Sequence, residues 1–101
     1  MAWLKLGAVA EVAVGTAKEF LVDGRVVAIF HTTDGIFATD GMCAHQGGPL
    51  ANGMLDGKCI TCPWHGWQYD VSTGNNLLTK KQMLDCYEVE LRNEEIWLSL
   101  P

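Results

Sequence analysis

The chain has 101 residues, of which 49% are hydrophobic and 19% charged, and this balance disfavours an intrinsically disordered chain. A chain of this length can bury a core without a metal, so metal ligands in it would serve function rather than folding. The formal charge of −5 disfavours nucleic-acid binding, which needs a basic surface, and predicts attraction to basic docking surfaces on partner proteins.

The hydropathy of the chain gives no indication of a membrane segment. Residues 1–6 lack a basic stretch followed by a long apolar one, so no secretory signal is expected. No apolar run approaches the roughly 18 residues that a membrane span needs. No polybasic patch predicts binding to anionic lipid either. We therefore expect a cytoplasmic protein that does not contact membranes.

Short apolar runs separated by turn residues predict four strands in the first forty residues. The predicted strands are residues 3–6, 18–22, 25–31 and 36–39. Asp23-Gly24 and Asp34-Gly35 lie between consecutive runs and are typical of tight hairpin turns. The first part of the chain is therefore expected to form antiparallel β-structure.

The end of the chain shows the same alternation. Residues 87–91 and 96–100 alternate apolar and polar side chains, with residues 92–95 as the turn between them. No segment of the chain has a sustained helical period, and we find no repeat or linker. We therefore predict one all-β domain spanning residues 1–101, an antiparallel sandwich or small barrel.

The central stretch, residues 42–70, interrupts the strand pattern and contains the residues suited to metal binding. It holds Cys43-Ala44-His45 and, after residues 46–61, Cys62-Pro63-Trp64-His65. Each module offers one thiolate and one imidazole from a single short loop, and nearby glycines let backbone N–H groups turn toward a bound group. These residues predict a four-ligand metal site.

Two alternatives stay open on the residues alone. Two Cys and two His can hold a structural zinc, although zinc sites usually pair like residues within a module. Cys59 and Cys62 also match the C-x-x-C of dithiol redox proteins, but those motifs precede a helix, and none is predicted here. We expect Cys59, in a strand at residues 58–61, and Cys86 to be ordinary buried cysteines.

The two modules and their surroundings resemble the cluster-binding loops of the Rieske [2Fe–2S] family. The resemblance rests on CAHQGGPL at residues 43–50 and CPWHGWQYD at residues 62–70. The hairpin before the loops and the strand pair after them also match the family's layout. Within the family the chain resembles the ferredoxin components of bacterial ring-hydroxylating oxygenases, and it is similar to the small subunit of assimilatory nitrite reductases.

The resemblance implies the cofactor and the function. It implies one [2Fe–2S] cluster in a two-loop subdomain inserted into the fold, with one iron on Cys43 and Cys62 and the other on His45 and His65. It further implies a one-electron carrier, usually a monomer, that passes electrons from a reductase to a terminal oxygenase. The alternative is a cluster-bearing small subunit of a nitrite reductase-like complex. Oxygenase catalysis itself needs a second iron site, for which only His31 remains among the histidines.

Departures from the high-potential members of the family predict a low reduction potential. Those proteins join the two loops by a disulfide, and the matching positions here are Gly48 and Trp64. They also place a serine hydroxyl beside a bridging sulfide, where this chain has Trp67. Tyr69 matches a tyrosine whose hydroxyl can bond a ligand cysteine. We therefore expect a potential at the low end of the Rieske range, about −150 to +300 mV.

A few residues outside the ligand set carry weaker predictions. One of Trp64 and Trp67 is expected to be exposed beside the cluster as a docking contact. His31 is expected to be an ordinary strand histidine, and Glu94-Glu95 a solvated turn. Lys80-Lys81 lies where a third loop of the family approaches the cluster, and no proline stands between Gly74 and Gln82.

Overall fold

Short antiparallel strands make up most of the structure, a computed structural model that describes residues 2–44, 47–64 and 66–100. The ten strands in this part of the chain are β1 Ala2–Ala8, β2 Thr16–Val22, β3 Arg25–Thr32, β4 Gly35–Asp40, β5 Met54–Asp56, β6 Cys59–Thr61, β7 Gln68–Asp70, β8 Asn75–Asn76, β9 Cys86–Arg92 and β10 Glu95–Leu100. Two single-turn 3₁₀ helices, Val9–Glu11 and Leu50–Asn52, interrupt them. No helix of the described residues is long and apolar enough to cross a membrane.

The larger sheet has six strands in the order β1-β10-β9-β4-β3-β2. All six predicted strands outside the central stretch are confirmed, and each is one to three residues longer than predicted. The hairpin between β2 and β3 turns at Asp23 and Gly24, with φ angles of 51° and 79°. Positive φ at both turn residues matches the right-handed twist of the flanking strands, which explains the Asp-Gly signal.

Strand β3 is buried on both faces and joins two hydrophobic cores. Val27 and Ile29 point into the core enclosed by the larger sheet. Ala28 and Phe30 point to the other face, into a second core shared with the central stretch. Strands buried on both faces read as continuous apolar runs rather than alternating ones, as residues 26–30 do.

The smaller sheet, in the order β5-β6-β7-β8, was only partly expected. The strand predicted at residues 58–61 is confirmed as β6, but β5 and β7 lie where we expected the strand pattern to lapse. Each has three residues, and only the middle one, Leu55 or Tyr69, faces inward. A single inward side chain leaves no alternation for a sequence pattern to detect.

The smaller sheet and its loops are inserted in the chain between β4 and β9. These two strands are neighbours in the larger sheet and pair with each other through Ala38↔Tyr87 and Thr39↔Cys86. Asp40 holds this junction, because its carboxylate accepts hydrogen bonds from Tyr87 Oη at 2.7 Å and from the Asp85 N–H at 2.9 Å. The all-β antiparallel fold with an inserted subdomain is therefore confirmed.

Candidate metal centre

Two loops of the inserted subdomain present Cys43 and Cys62, and they are built alike. In each, the cysteine N–H donates to the carbonyl five residues later: Cys43 to Gly48 and Cys62 to Trp67, both at 2.7 Å. Each loop also has a glycine with positive φ, 74° at Gly47 and 72° at Gly66. Glycine adopts this conformation without steric cost, so each loop can turn sharply at this residue.

Folding brings the two cysteines together from opposite loops. Both lie in the second core, and Cys62 is only 1% exposed. Burial raises the pKa of the Cys62 thiol, a hydrogen bond from the Trp64 N–H opposes this, and the nearby Cys43 thiol raises it further. Two thiolates at this position therefore need a neighbouring cation to stabilise them, and an iron ion would be such a cation. The two cysteines fit half of a Rieske ligand set.

Tyr69 supports the first of these cysteines from across the subdomain. Its buried hydroxyl lies 3.2 Å from Cys43 Sγ, as the sequence led us to expect. Burial, followed by the hydrogen bond to Cys43, raises the pKa of Tyr69 well above its ordinary value. The hydroxyl therefore stays protonated and can donate to a thiolate.

Replacing Tyr69 by phenylalanine should lower the reduction potential of the bound cluster. A donor to a ligand sulfur favours the more negative, reduced state, and one hydrogen bond contributes about 0.5–1.5 kcal/mol, or about 20–65 mV for one electron. Tyr87→Phe is the matched control, since that hydroxyl bonds Asp40 and not a cysteine. Redox titration of both variants is the measurement. Equal potentials for Tyr69→Phe and the wild type would contradict the role.

The two loops also touch directly at the positions where high-potential relatives carry a disulfide. A Cβ atom added at Gly48 would lie 2.9 Å from Cys62 Sγ and 3.0 Å from the Trp64 ring. Gly48 is therefore packed closely against the opposite loop. Trp64 covers this contact and remains 49% exposed, whereas Trp67 is half-buried, so one exposed tryptophan was predicted correctly.

The two predicted histidine ligands, His45 and His65, lie outside the described residues. The four-residue ligand set therefore stays a prediction, to which the described part of the chain adds the positions of Cys43 and Cys62.

The other cysteines differ from these two. Cys59 is half-buried in β6, opposite Asp70, and burial followed by the nearby Asp56 raises the pKa of its thiol. Dithiol redox motifs need a lowered thiol pKa, so the burial of Cys59 and the carboxylate beside it disfavour that alternative. Our expectation that Cys86 is buried was wrong: it is exposed on β9, because its neighbour Tyr87 takes the inward position of the strand.

The structure also describes His31 and the pair Glu94-Glu95, for which the sequence carried weaker predictions. His31 is an ordinary strand histidine, with Nδ1 2.7 Å from the Val12 carbonyl oxygen. Glu94 is an exposed turn residue, but Glu95 begins β10 and lies 3.3 Å from Lys5 Nζ. The solvated turn is therefore confirmed for Glu94 only.

Comparison with known proteins identifies the family. Residues 2–88 match the Rieske [2Fe–2S] domain family. The chain belongs to the Rieske [2Fe–2S] family. The expected family is thus confirmed, and the cofactor that goes with it is a Rieske-type [2Fe–2S] cluster, with which the donor set of the two buried cysteines agrees.

Several Rieske proteins are similar over nearly the whole chain. The ferredoxin component of the naphthalene 1,2-dioxygenase system from Pseudomonas putida is 29% identical over 99 residues, covering 97% of this chain and 95% of that protein. A structure of oxygenase and ferredoxin in carbazole 1,9a-dioxygenase contains a chain that is 31% identical, with a TM-score of 0.87 and coverage of 96% and 92%. These Rieske relatives are electron carriers of oxygenase systems.

The likeness to nitrite reductase small subunits is one of fold. A structure described as an NADH-dependent nitrite reductase small subunit from Mycobacterium tuberculosis has a TM-score of 0.86, covering 96% of this chain and 93% of that one. Its sequence identity is only 18%, which supports a shared Rieske fold and nothing further.

Proposed function

We propose that this chain carries single electrons from a reductase to the terminal oxygenase of a ring-hydroxylating system. In this proposal Cys43 and Cys62 bind one iron of the cluster, and His45 and His65 bind the other. The observation that supports it most directly is the convergence of two buried cysteines from two similarly built loops, with Tyr69 Oη 3.2 Å from Cys43 Sγ. The partners follow from the ferredoxin components and the oxygenase complex among the similar proteins.

The ligand set explains why such a centre exchanges electrons readily. Two ferric ions, two sulfides and two thiolates sum to zero charge when the other two ligands are neutral imidazoles. Four thiolates would leave a negative centre, to which adding an electron costs more. Two histidines therefore raise the potential above that of all-cysteine clusters.

Within the Rieske range we place this protein at the low end. Gly48 and Trp64 cannot form the disulfide of high-potential relatives, and Trp67 offers no hydroxyl. The hydrogen bonds to the two sulfurs include those from Tyr69 Oη on Cys43 and from the Trp64 N–H on Cys62 at 3.4 Å. A cluster without the loop disulfide and the serine hydroxyl of the high-potential proteins has a less stabilised reduced state.

A redox titration followed by electron paramagnetic resonance tests this assignment. The reduced protein should show a Rieske-type signal, with iron and acid-labile sulfide in equal amounts and a midpoint in the lower part of the range of about −150 to +300 mV. A colourless protein loaded with zinc would contradict the cluster. A strongly positive midpoint would contradict the low-potential class.

Turnover assays test the place of the protein in a redox chain. Purified pairs of reductase and terminal oxygenase from ring-hydroxylating systems should depend on added holoprotein for substrate oxidation. Turnover that never responds to the protein would favour a subunit of a nitrite reductase-like complex. We further propose that the carrier is a single domain over residues 1–101 and works as a monomer in the cytoplasm.

A further inference from the structure

Residues 76–81, which we call the knuckle, form a tightly hydrogen-bonded loop after the smaller sheet. The buried side chain of Asn76 accepts hydrogen bonds through Oδ1 from the N–H groups of Leu78 and Thr79, at 2.9 and 3.0 Å. Its backbone accepts from the Lys80 N–H at 2.8 Å and donates to the Lys81 carbonyl at 2.9 Å. One buried residue therefore sets the shape of the whole loop before any partner arrives.

The knuckle holds a leucine in solvent. Leu78 is 90% exposed, more than any other large hydrophobic side chain among the described residues. Covering such a side chain removes apolar surface from water and is therefore favourable. Single exposed apolar residues are common, so Leu78 gains significance only from its surroundings.

A groove of about 300 Å³ separates the knuckle from the second cysteine loop. Gly66, Trp67 and Gln68 form one wall, and residues 77–79 of the knuckle line the other. The Leu77 N–H donates to the Gln68 carbonyl at 3.0 Å and fixes the two walls relative to each other. Since the Cys62 N–H bonds the Trp67 carbonyl, an occupant of this groove touches the loop that holds a proposed cluster ligand.

The charge of the knuckle is opposite to that of the whole chain. Residues 74–84 contain Lys80 and Lys81 and no acidic residue, whereas the net charge is −5. Both lysines are exposed, and neither forms an ion pair with any residue the structure describes. Lys80 is also held at φ 64°, a conformation that residues other than glycine seldom adopt. The loop thus presents two uncompensated cations beside an apolar groove.

We propose that the knuckle and its groove are the docking site for an acidic surface of a redox partner protein. An apolar side chain of the partner enters the groove between Leu78 and Trp67, and carboxylates around it pair with Lys80 and Lys81. This proposal rests on the proposed electron transfer, because a partner must approach the cluster loops to exchange electrons. The net charge of the chain predicts a basic partner surface, whereas at this one contact the partner surface would be acidic.

The test uses holoprotein with the reductase and oxygenase whose turnover it restores. Stopped-flow transfer rates are compared for the wild type, Leu78→Ser, Lys80→Glu/Lys81→Glu, the two single lysine variants and Lys58→Glu. Lys58 is a matched control, because it is also exposed but lies in the turn between β5 and β6, at the end of β6 away from Cys62. The redox midpoint and the paramagnetic resonance spectrum should be the same in every variant.

With one of the two partners, the double lysine variant should lower the second-order rate constant roughly tenfold, and Leu78→Ser should lower it several-fold. Each single lysine variant should be slower than Lys58→Glu, which should match the wild type within about twofold. The loss in the double variant should shrink as salt screens the repulsion.

Other outcomes overturn the proposal. A double variant that transfers electrons as fast as Lys58→Glu with both partners, or faster than the wild type, excludes an acidic docking surface while leaving the carrier function intact. A free protein that sediments as a dimer and becomes a monomer in the double variant shows that the groove binds a second copy. A wild-type protein that transfers electrons to no partner overturns the proposed function, and this proposal with it.

Discussion

The variant Cys62→Ser should lose nearly all of its iron and sulfide. Cys62 lies in the second core beside Cys43, where burial disfavours charge unless a cation is bound. Serine is a hard, weakly acidic ligand that seldom replaces a thiolate on iron. Iron and sulfide content, visible absorbance and paramagnetic resonance of the purified variant are the measurements. Circular dichroism should still report strand, since the core of the larger sheet does not include Cys62.

The neighbouring variant Cys59→Ser serves as the control for that result. Cys59 lies three residues earlier, is half-buried in β6 and faces Asp70 across the strand pair. It should keep the cluster and its midpoint, and so should Cys86→Ser on the exposed side of β9. If Cys59→Ser lost as much electron-transfer activity as Cys62→Ser, the result would instead support dithiol chemistry.

Gly53→Ala should strongly lower the stability of the protein. A Cβ atom at this position would overlap the backbone carbonyl oxygen of Thr61. Neither backbone can move aside without separating β5 from β6, because Met54 pairs with Thr61 right beside the clash. Overpacking costs about 1–3 kcal/mol and sometimes more, which corresponds to a fall of the unfolding midpoint by about 4–24 °C for a domain of this size.

The same substitution should also impair cluster retention, since Thr61 directly precedes Cys62. Thermal unfolding by circular dichroism and the half-life of the cluster absorbance at constant temperature are the two measurements. Gly7→Ala is the control, because its Cβ would meet Glu11 Oε2 at 2.7 Å, the far end of a flexible side chain. A Gly53→Ala protein as stable as Gly7→Ala would show that β5 and β6 can separate at little cost.

The site as a whole depends on contacts that cross the inserted subdomain. Tyr69 bonds Cys43, and Gly48 packs against Trp64. Asp40, just before the inserted subdomain, accepts a hydrogen bond from Tyr87 on β9. Each contact joins segments that are distant in the chain. The retention of the cluster should therefore respond to substitutions well outside the proposed ligand set.

Much of the fold was predictable because its signals are local. An Asp-Gly turn requires positive φ at adjacent residues, and Asp23 and Gly24 meet that requirement. The six strands of the larger sheet have six to eight residues, enough for a period of two or, in β3, a continuous apolar run to be visible. The strands of the smaller sheet have two or three residues, too few for any period.

For the site, short sequence motifs were enough to predict the type of cofactor. Two modules that each combine a thiolate and an imidazole, with a glycine after each ligand pair, are enough to predict a mixed ligand set and, by resemblance, a Rieske cluster. That information is contained in runs of a few residues, because the ligands of one loop must reach one metal centre without straining the backbone.

The surroundings of the two cysteines became visible only in the folded chain. Neither the burial of Cys62 beside Cys43, nor the exposure of Cys86, nor the rigid knuckle around Asn76 follows from a local pattern. The physical reason is that the burial of a residue and the electrostatic field around it depend on the distant segments that pack against it. A ligand set could therefore be predicted from spacing, whereas the groove beside the second cysteine loop could not.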